Sequence, residues 1–166
     1  MSFDSQLVIE PLNRVHNRAV FNCGNDSLNS YLKQQATQDI RRHVSRIFIA
    51  RSPVNKTTVL GYYTLSTLSI DLSNLPEKVA RKLPKHPMPA ALIGRLAVDL
   101  SMQGHGVGQM LLANAIKRMQ AVAEEIGIYA MVVDAISKEA ECFYTQYGFT
   151  HLAKDSRRLF LQLKSL

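Results

Sequence analysis

The feature that most constrains this chain is an apolar stretch that runs directly into a glycine-rich turn and then into an amphipathic segment. Residues 90–98 are mostly apolar, glycines follow at positions 104, 106 and 108, and apolar residues then recur at helical spacing from Val107 to Ile126. Glycine lets a backbone approach a ligand closely, and the first turn of a helix leaves N–H groups that point at an anion. The pattern predicts a strand, an anion-holding turn and a helix, and it favours a cofactor that carries a pyrophosphate.

Glycine-rich turns also connect strands to helices for packing reasons alone, and two common phosphate motifs are missing here. Gln109 stands where the dinucleotide-binding fingerprint has its third glycine, and no Gly-Lys followed by Ser or Thr occurs in the chain. The missing glycine disfavours NAD, and the missing P-loop sequence disfavours ATP.

Length and composition fit one compact domain over residues 1–166, because 46% of the 166 residues are hydrophobic. Residues 1–6 have no basic region followed by an apolar one, and Arg95 interrupts the most apolar tract, so we expect a soluble cytoplasmic protein that does not enter a membrane. Cys23 and Cys142 form no CxxC pair, and the five histidines lack metal-binding spacing. We therefore expect no metal site and no thiol chemistry.

The positive charge is concentrated in one part of the chain. Between residues 40 and 95 there are ten basic residues and two acidic ones, against a net charge of +7 for the whole chain. This balance favours a polyanionic partner such as a nucleic acid, although part of the charge could neutralise the phosphates of a cofactor. The residues that we expect to contact a nucleic acid are Arg41, Arg42, Arg46, Arg81, Lys82, Lys85 and Arg95.

Hydrophobic periodicity and turn residues predict alternating strands and helices, with residues 90–98 and 129–135 as parallel neighbours around the helix that follows the glycine turn. That helix should end at Gly127, and Ser137 should cap the next one. The other predicted elements are a strand at 6–11, a helix from Asn25 or Asp26 to Ile40, an antiparallel strand pair at 45–51 and 58–70, a short helix at 74–83 and a hairpin at 150–163.

Two motifs resemble the GCN5-related N-acetyltransferases, or GNAT family. One is the Gln-x-x-Gly-x-Gly sequence that begins at Gln103, and the other is the Ala-x-x-Phe-Tyr-x-x-x-Gly-Phe sequence of residues 140–149. The resemblance implies an α/β (α+β) GNAT fold: a mixed, mostly antiparallel sheet flanked by helices, with a splayed central parallel strand pair. It also implies acetyl-CoA as co-substrate, with its pantetheine arm on the strand backbone and its pyrophosphate over the turn. The cofactor-binding residues would be Leu96, Ala97, Val98, Gln103, Gly104, His105, Gly106, Val107, Gly108 and Gln109.

The same resemblance implies that Tyr144 is catalytic, with its phenol near the thioester sulfur. Helical spacing places Ala140, Phe143 and Tyr147 on the expected buried stripe and Tyr144 beside it, which favours this role over an aromatic packed in the core. A phenol with a pKa near 10 stays protonated at neutral pH and can donate a hydrogen bond or a proton to a departing thiolate.

No carboxylate lies between residues 88 and 98, and the nearest ones are Glu77 and Asp99. A lysine amine, with a pKa near 10.4, would need a base, whereas an α-amine with a pKa near 7.7–8.0 is already substantially neutral at physiological pH. The missing base favours an α-amine substrate, while deprotonation through water by a distant group stays open.

A narrower resemblance rests on residues 21–32 and 94–99, which look like the acetyltransferase toxins of bacterial type II toxin–antitoxin systems. It implies a homodimer that acetylates the α-amino group of aminoacyl-tRNA and blocks translation. It also implies a ribbon-helix-helix antitoxin, through which alone the toxin would reach operator DNA. Two alternatives remain: an acetyltransferase acting on a protein N-terminus or a small-molecule amine, and a non-catalytic nucleic-acid-binding module on the same fold.

Overall fold

The computed structural model describes residues 7–153 and 156–164, which form a mixed sheet flanked by helices. The strands follow the order β1-β2-β3-β4-β5-β7-β6. Their bounds are β1 Val8–Pro11, β2 Arg46–Arg51, β3 Gly61–Ile70, β4 Met88–Val98, β5 Ala130–Asp134, β6 Thr150–His151 and β7 Arg158–Gln162. The helices are α1 Asp26–Ser30, α2 Ala36–Arg41, α3 Glu77–Ala80, α4 Val107–Ala123 and α5 Lys138–Gln146.

Strand pairing confirms the predicted mixed sheet. β1 with β2, β2 with β3, β5 with β7 and β6 with β7 are antiparallel, while β4 and β5 are parallel. The parallel register runs from Ala90 opposite Ala130 to Ile93 opposite Val133, so it is confined to the first part of β4. The predicted βαβ arrangement of β4, α4 and β5 is therefore confirmed.

The described residues group into two compact units. Unit 1 contains the chain up to Ser66 together with Gly94–Ala115, and unit 2 contains Thr67–Ile93 together with the chain from Ile116 onward. The core of unit 1 packs the first helical segment against β2 and β3, with Leu32, Ile49 and Tyr62 inaccessible to solvent. The core of unit 2 is built on β4, β5 and β7.

The first helical segment begins where the sequence predicts, because the Asn25 side chain accepts a hydrogen bond from the Leu28 N–H. It is not a regular helix throughout, since residues 31–35 form a π-helical turn between α1 and α2. The Ala36 N–H donates to the carbonyl of Tyr31, five residues back. This wider turn lets Tyr31, Leu32 and Ala36 all be buried.

Several other predicted boundaries shift. The short helix is confined to α3, because Pro76 occupies its N-cap and a separate 3-10 turn, Leu72–Asn74, precedes it. α4 ends at Ala123, and Gly127 is not among the left-handed glycines of the described chain. β3 begins later and β4 earlier than predicted, and the start of the first predicted strand, Gln6, lies outside the described residues.

Candidate functional site

The glycine turn connects the end of β4 to α4 and leaves open space beside its backbone. Gly104 has φ +82° and Gly106 has φ +83°, whereas Gly108 lies in the first turn of α4 without a positive φ. A Cβ added to Gly104 would meet no atom within 4 Å. Since the first N–H groups of a 17-residue helix have no intrahelical acceptors, this open space fits an anion such as the pyrophosphate of acetyl-CoA.

Gln103 is exposed, and its side chain connects the turn to neighbouring backbone. Its amide nitrogen donates to the Val98 carbonyl at 2.9 Å and to the Cys23 carbonyl at 2.9 Å. The amide nitrogen is thus engaged with the backbone of two segments. A bound cofactor would meet the backbone of Gln103 or its amide oxygen.

Asp99 also connects the segment around Asn22 with the turn that follows β4. Its carboxylate accepts from the N–H of Asn22 at 2.9 Å, and from the N–H and hydroxyl of Ser101 at 3.1 and 2.6 Å. Burial alone would raise the pKa of Asp99, but the hydrogen bonds from Ser101 and Asn22 outweigh it and hold the pKa below its usual range. With its oxygens so engaged, Asp99 is a poor general base.

The segment around Asn22 is held by its own side chains. Asn22 Oδ1 accepts from the Gly24 N–H and from the Asn29 amide, and Asn29 Oδ1 accepts from the Cys23 N–H. We call Asn22, Asn29, Asp99 and Gln103 the clamp. Asn22 and Asn29 are not among the predicted site residues, although both lie in residues 21–32, the segment that resembles the toxins.

The strand residues expected to bind pantetheine line the end of β4. Ala97 is buried, and Leu96 and Val98 are half-buried. A Cβ on Gly61 would lie 2.9 Å from the Ala97 carbonyl oxygen, so β3 passes very close to this backbone. The Val98 carbonyl already accepts from Gln103, which leaves the backbone groups of Leu96 and Ala97 as the stronger candidates.

The remaining predicted cofactor residues surround the turn. Val107 is buried at the start of α4, whereas His105 and Gln109 are exposed on either side of it. The structure therefore brings the predicted cofactor residues of the turn and the strand end together in unit 1.

Tyr144 is buried, with 5% of its surface exposed, and the expected position beside the buried stripe is wrong. Ala140, Phe143 and Tyr147 are only half-buried. The chain reverses at Gly148, which has φ +96°, and this brings the ring of Phe149 to 5.7 Å from that of Tyr144. The periodicity of α5 carries no information about a residue that folds back after the helix.

Burial, and secondarily the carboxylate of Asp134, raises the pKa of Tyr144 well above its usual value. Asp134 is itself paired with Arg158, whose Nε lies 2.7 Å from its Oδ1. The phenol therefore remains a proton donor throughout the neutral and mildly alkaline range. Tyr144 and Asp134 both belong to unit 2.

The predicted nucleic-acid contacts divide between the two units. Arg41, Arg42 and Arg46 are exposed in unit 1. Arg81, Lys82 and Lys85 are exposed in unit 2, where Arg81 makes an exposed ion pair of 3.2 Å with Glu77.

Arg95 differs from the other basic residues because it is half-buried. Its guanidinium carbon lies 3.5 Å from the ring centroid of Tyr31, in a cation–π contact. The Tyr31 hydroxyl donates to Asp39 at 2.6 Å, and burial together with this bond raises the pKa of Tyr31 to about 12. Arg95 thus has a packing role in unit 1 besides any contact with a ligand.

Within residues 7–153 and 156–164, no three His, Cys, Asp or Glu side chains are grouped so that they could hold a metal ion. None of the helices in the described chain is long and apolar enough to span a membrane.

Comparison with known proteins identifies the family. Residues 45–151 match the acetyltransferase (GNAT) domain family. The chain belongs to the GNAT acetyltransferases. This GNAT acetyltransferase is 35% identical to the tRNA-acetylating toxin of Mycobacterium tuberculosis over 87% of its own length and 84% of that protein. It is 31% identical to the probable toxin TacT of Sinorhizobium fredii over 96% of its own length and 92% of that protein.

Solved structures show the same fold over nearly the whole chain. A tyrosine-to-phenylalanine mutant of KacT matches with a TM-score of 0.90 at 31% identity, covering 95% of each chain. AtaT complexed with acetyl-methionyl-tRNAfMet matches with a TM-score of 0.87 at 31% identity, covering 94% of each chain. AtaTR bound with acetyl-CoA matches with a TM-score of 0.83 at 31% identity, covering 96% of this chain and 95% of that one. These matches confirm the predicted GNAT fold.

Proposed function

We propose that this protein is an acetyl-CoA-dependent toxin that acetylates the α-amino group of aminoacyl-tRNA and thereby blocks translation. The observation that carries this proposal is the likeness, over 94% of the chain, to AtaT complexed with acetyl-methionyl-tRNAfMet. The relatives named tRNA-acetylating toxin and TacT support the same function.

The glycine turn is the proposed acetyl-CoA site. The backbone amides of residues 104–109 would hold the pyrophosphate, and the backbone of residues 96–98 would hold the pantetheine arm. The left-handed glycines and the open space beside Gly104 support this assignment, as does the AtaTR structure bound with acetyl-CoA. Acetyl-CoA supplies the acetyl group as a thioester.

Tyr144 is the proposed catalytic residue. The amine nitrogen forms a bond to the acetyl carbon, the carbon–sulfur bond breaks, and the Tyr144 hydroxyl stabilises the leaving thiolate or gives it a proton. Its raised pKa favours hydrogen bonding over complete proton transfer, because the phenol is a weaker acid than the thiol that it would protonate.

The chemistry of the acceptor supports an α-amine. Asp99 is engaged by Asn22 and Ser101, and Glu77 is exposed and paired with Arg81. Neither carboxylate is placed as a general base, so an α-amine, which is substantially neutral at physiological pH, is a better nucleophile than a lysine amine. The proposed contacts for the tRNA are the basic residues Arg41, Arg42, Arg46, Arg81, Lys82, Lys85 and Arg95.

We also infer that the protein acts in the cytoplasm as a homodimer, that each chain of 166 residues works as a single domain, and that a ribbon-helix-helix antitoxin neutralises it. AtaT has been solved with the C-terminus of the antitoxin AtaR, and the AtaT-AtaR complex has been solved with DNA. By analogy, the toxin would be brought to operator DNA only through its antitoxin.

The decisive experiment incubates the protein with labelled acetyl-CoA and either charged or uncharged tRNA. We expect label on the charged tRNA alone, and we expect alkaline release of an N-acetyl amino acid from it. Peptides with unblocked N-termini and polyamines serve as competing acceptors. Label on these acceptors but not on charged tRNA would contradict the proposal, and so would label on none of them.

A further inference from the structure

The loop before α1, residues 22–25, is joined to the beginning of the glycine turn by three hydrogen bonds; we call it the asparagine loop. The Leu100 N–H donates to the Asn22 carbonyl at 2.8 Å, and the Asn22 N–H donates to the Asp99 carboxylate at 2.9 Å. The Gln103 side chain donates to the next carbonyl of the loop at 2.9 Å. The path of the chain into the glycine turn therefore depends on where the asparagine loop lies.

The asparagine loop contains no strand or helix, and a buried side chain on α1 determines its shape. Asn29, which is 9% exposed, accepts from the Cys23 N–H through its Oδ1 at 2.8 Å. Its Nδ2 donates to Asn22 Oδ1 at 3.0 Å. Both polar atoms of the Asn29 carboxamide are thus used, one as an acceptor and one as a donor.

Asn29 itself is fixed to the core of unit 1. The preceding residue, Leu28, belongs to that core, and its carbonyl accepts from the Tyr62 hydroxyl at 2.6 Å. Tyr62 is inaccessible to solvent on β3. The side-chain bonds of Asn29 go to the asparagine loop, so Asn29 connects the core to the glycine turn through the loop.

The glycine turn needs such external support because of its composition. Glycine loses more conformational freedom on ordering than any other residue, and the turn has glycines at positions 104, 106 and 108. Binding is tighter when a segment is already ordered, because less conformational entropy is lost as the ligand arrives. A turn fixed in advance should therefore bind an anion more tightly than a mobile one.

We propose that Asn29 is a positioning residue for acetyl-CoA. Its carboxamide fixes the asparagine loop, and the loop fixes the glycine turn in the conformation that receives the pyrophosphate. This inference rests on the proposed function, which assigns acetyl-CoA to the glycine turn. Because the pyrophosphate takes no part in the reaction, its contacts are equally strong in the ground state and the transition state. Loss of Asn29 should therefore weaken acetyl-CoA binding without slowing the chemical step.

Asn29→Leu tests the positioning role, because leucine has a similar size but neither donor nor acceptor. We expect the Kd for acetyl-CoA in calorimetric titration to rise roughly tenfold, with an unchanged kcat at saturating acetyl-CoA. S-acetyl-pantetheine carries the same thioester without the pyrophosphate, so its kcat/KM should not change. A general loss of structure would instead lower kcat/KM for both donors by the same factor.

Two aspartate variants form a matched pair, Asn22→Asp and Asn29→Asp. Each adds one negative charge at nearly the same place, since the two side chains are in contact at 3.0 Å. Asn22 uses its oxygen, which accepts from the Gly24 N–H and from Asn29, and aspartate keeps that acceptor. Asn29 also uses its nitrogen as a donor, which aspartate lacks. We therefore expect Asn29→Asp to raise the Kd for acetyl-CoA about fivefold more than Asn22→Asp does.

Asn22→Leu keeps the test valid if Asn29→Leu does not fold, because Asn22 is exposed and its loss breaks the same bond to Asn29. It should also raise the Kd for acetyl-CoA. Three results would overturn the inference: an unchanged Kd in the folded leucine variants, equal Kd values in the two aspartate variants, or equal losses with acetyl-CoA and S-acetyl-pantetheine.

The outcome is separable from that of the proposed function, because calorimetric binding of acetyl-CoA needs no acceptor. If the wild type acetylates charged tRNA while the Asn29 variants bind acetyl-CoA normally, the inference alone is wrong. If the Asn29 variants bind acetyl-CoA more weakly than a wild type that does not acetylate charged tRNA, the proposed function fails and the positioning role stands.

Discussion

At the scale of single residues, two of the predicted site positions have a backbone conformation or surroundings that most other side chains would not tolerate. Gly104 combines a left-handed backbone with empty space where a Cβ would point. Tyr144 combines a polar hydroxyl with burial among aromatic rings. The first feature follows from the glycine spacing, whereas the second was mispredicted, because it depends on Phe149 beyond the end of α5.

Replacing Gly104 with alanine tests the anion site. We expect the Kd for acetyl-CoA to rise at least tenfold, because the new methyl group occupies the space proposed for the pyrophosphate. The left-handed backbone should also cost about 1–2 kcal/mol of stability. Calorimetric titration and urea unfolding measure the two effects. Gly127→Ala is the control, because Gly127 also has open space beside it but no left-handed φ, so this substitution should change both values little. If Gly104→Ala leaves the affinity for acetyl-CoA unchanged, the turn is not part of the acetyl-CoA site.

Replacing Tyr144 with phenylalanine tests the catalytic role. We expect kcat to fall by about a factor of 100 or more, with little change in KM for acetyl-CoA, because a positioned proton donor is lost while the ring still fills its place. Steady-state kinetics with charged tRNA give both constants. Tyr147→Phe is the matched control on the same segment, half-buried rather than buried. Equal rates in the two variants would show that the Tyr144 hydroxyl does no chemistry.

At the scale of elements, the sequence predicts most strands and helices because local signals mark their ends. Asn25 and Ser137 cap helices where expected, and the Ser137 hydroxyl accepts from the Ala140 N–H at 3.1 Å. The π-helical turn at residues 31–35 was not predicted, because its local sequence is compatible with an ordinary helix and the packing of Tyr31 and Leu32 within the core of unit 1 decides its geometry. The predicted hairpin of β6 and β7 forms, although residues 154–155 of its loop lie outside the described chain.

Gly61 on β3 provides a test of how tightly the strands support the turn. A Cβ there would lie 2.9 Å from both the Ala97 carbonyl and a Leu111 methyl group, and 3.3 Å from Val107. We expect Gly61→Ala to lower the free energy of unfolding by about 1–3 kcal/mol through overpacking. It should also weaken acetyl-CoA binding, because Ala97 and Val107 both belong to the proposed site. Urea unfolding beside the Gly127→Ala control measures the first effect, and a stability equal to the control would mean that the backbone shifts without cost.

At the scale of the whole molecule, charges that form one run in the sequence are distributed over two units. Residues 41–46 and Arg95 lie in unit 1, whereas residues 81–85 lie in unit 2. Counting charges along the chain therefore favours a polyanionic partner, but it does not identify the surface that would bind this partner.

Acid stability is a property of the whole fold that follows from paired carboxylates. Hydrogen bonds from Arg51 lower the pKa of Glu10, and the Tyr31 hydroxyl lowers that of Asp39. A lowered folded-state pKa stabilises the protein above the unfolded value, near 4, and this stability is lost as the pH falls through the folded values. We expect the free energy of unfolding to decline below about pH 4. Glu10→Gln should flatten this decline in urea titrations at successive pH values, and an unchanged decline would show that Glu10 does not contribute to it.

The sequence by itself determined the fold class, the glycine turn and the GNAT family. These rest on local requirements: alternate glycines, capping side chains and apolar periodicity, each of which has its physical effect within a few residues of chain. Tertiary structure alone decided the burial of Tyr144 and the clamp that joins residues 22–29 to Asp99 and Gln103. Each of these depends on residues brought together from distant parts of the chain, and the electrostatic and packing energies that set their roles depend on distances in space.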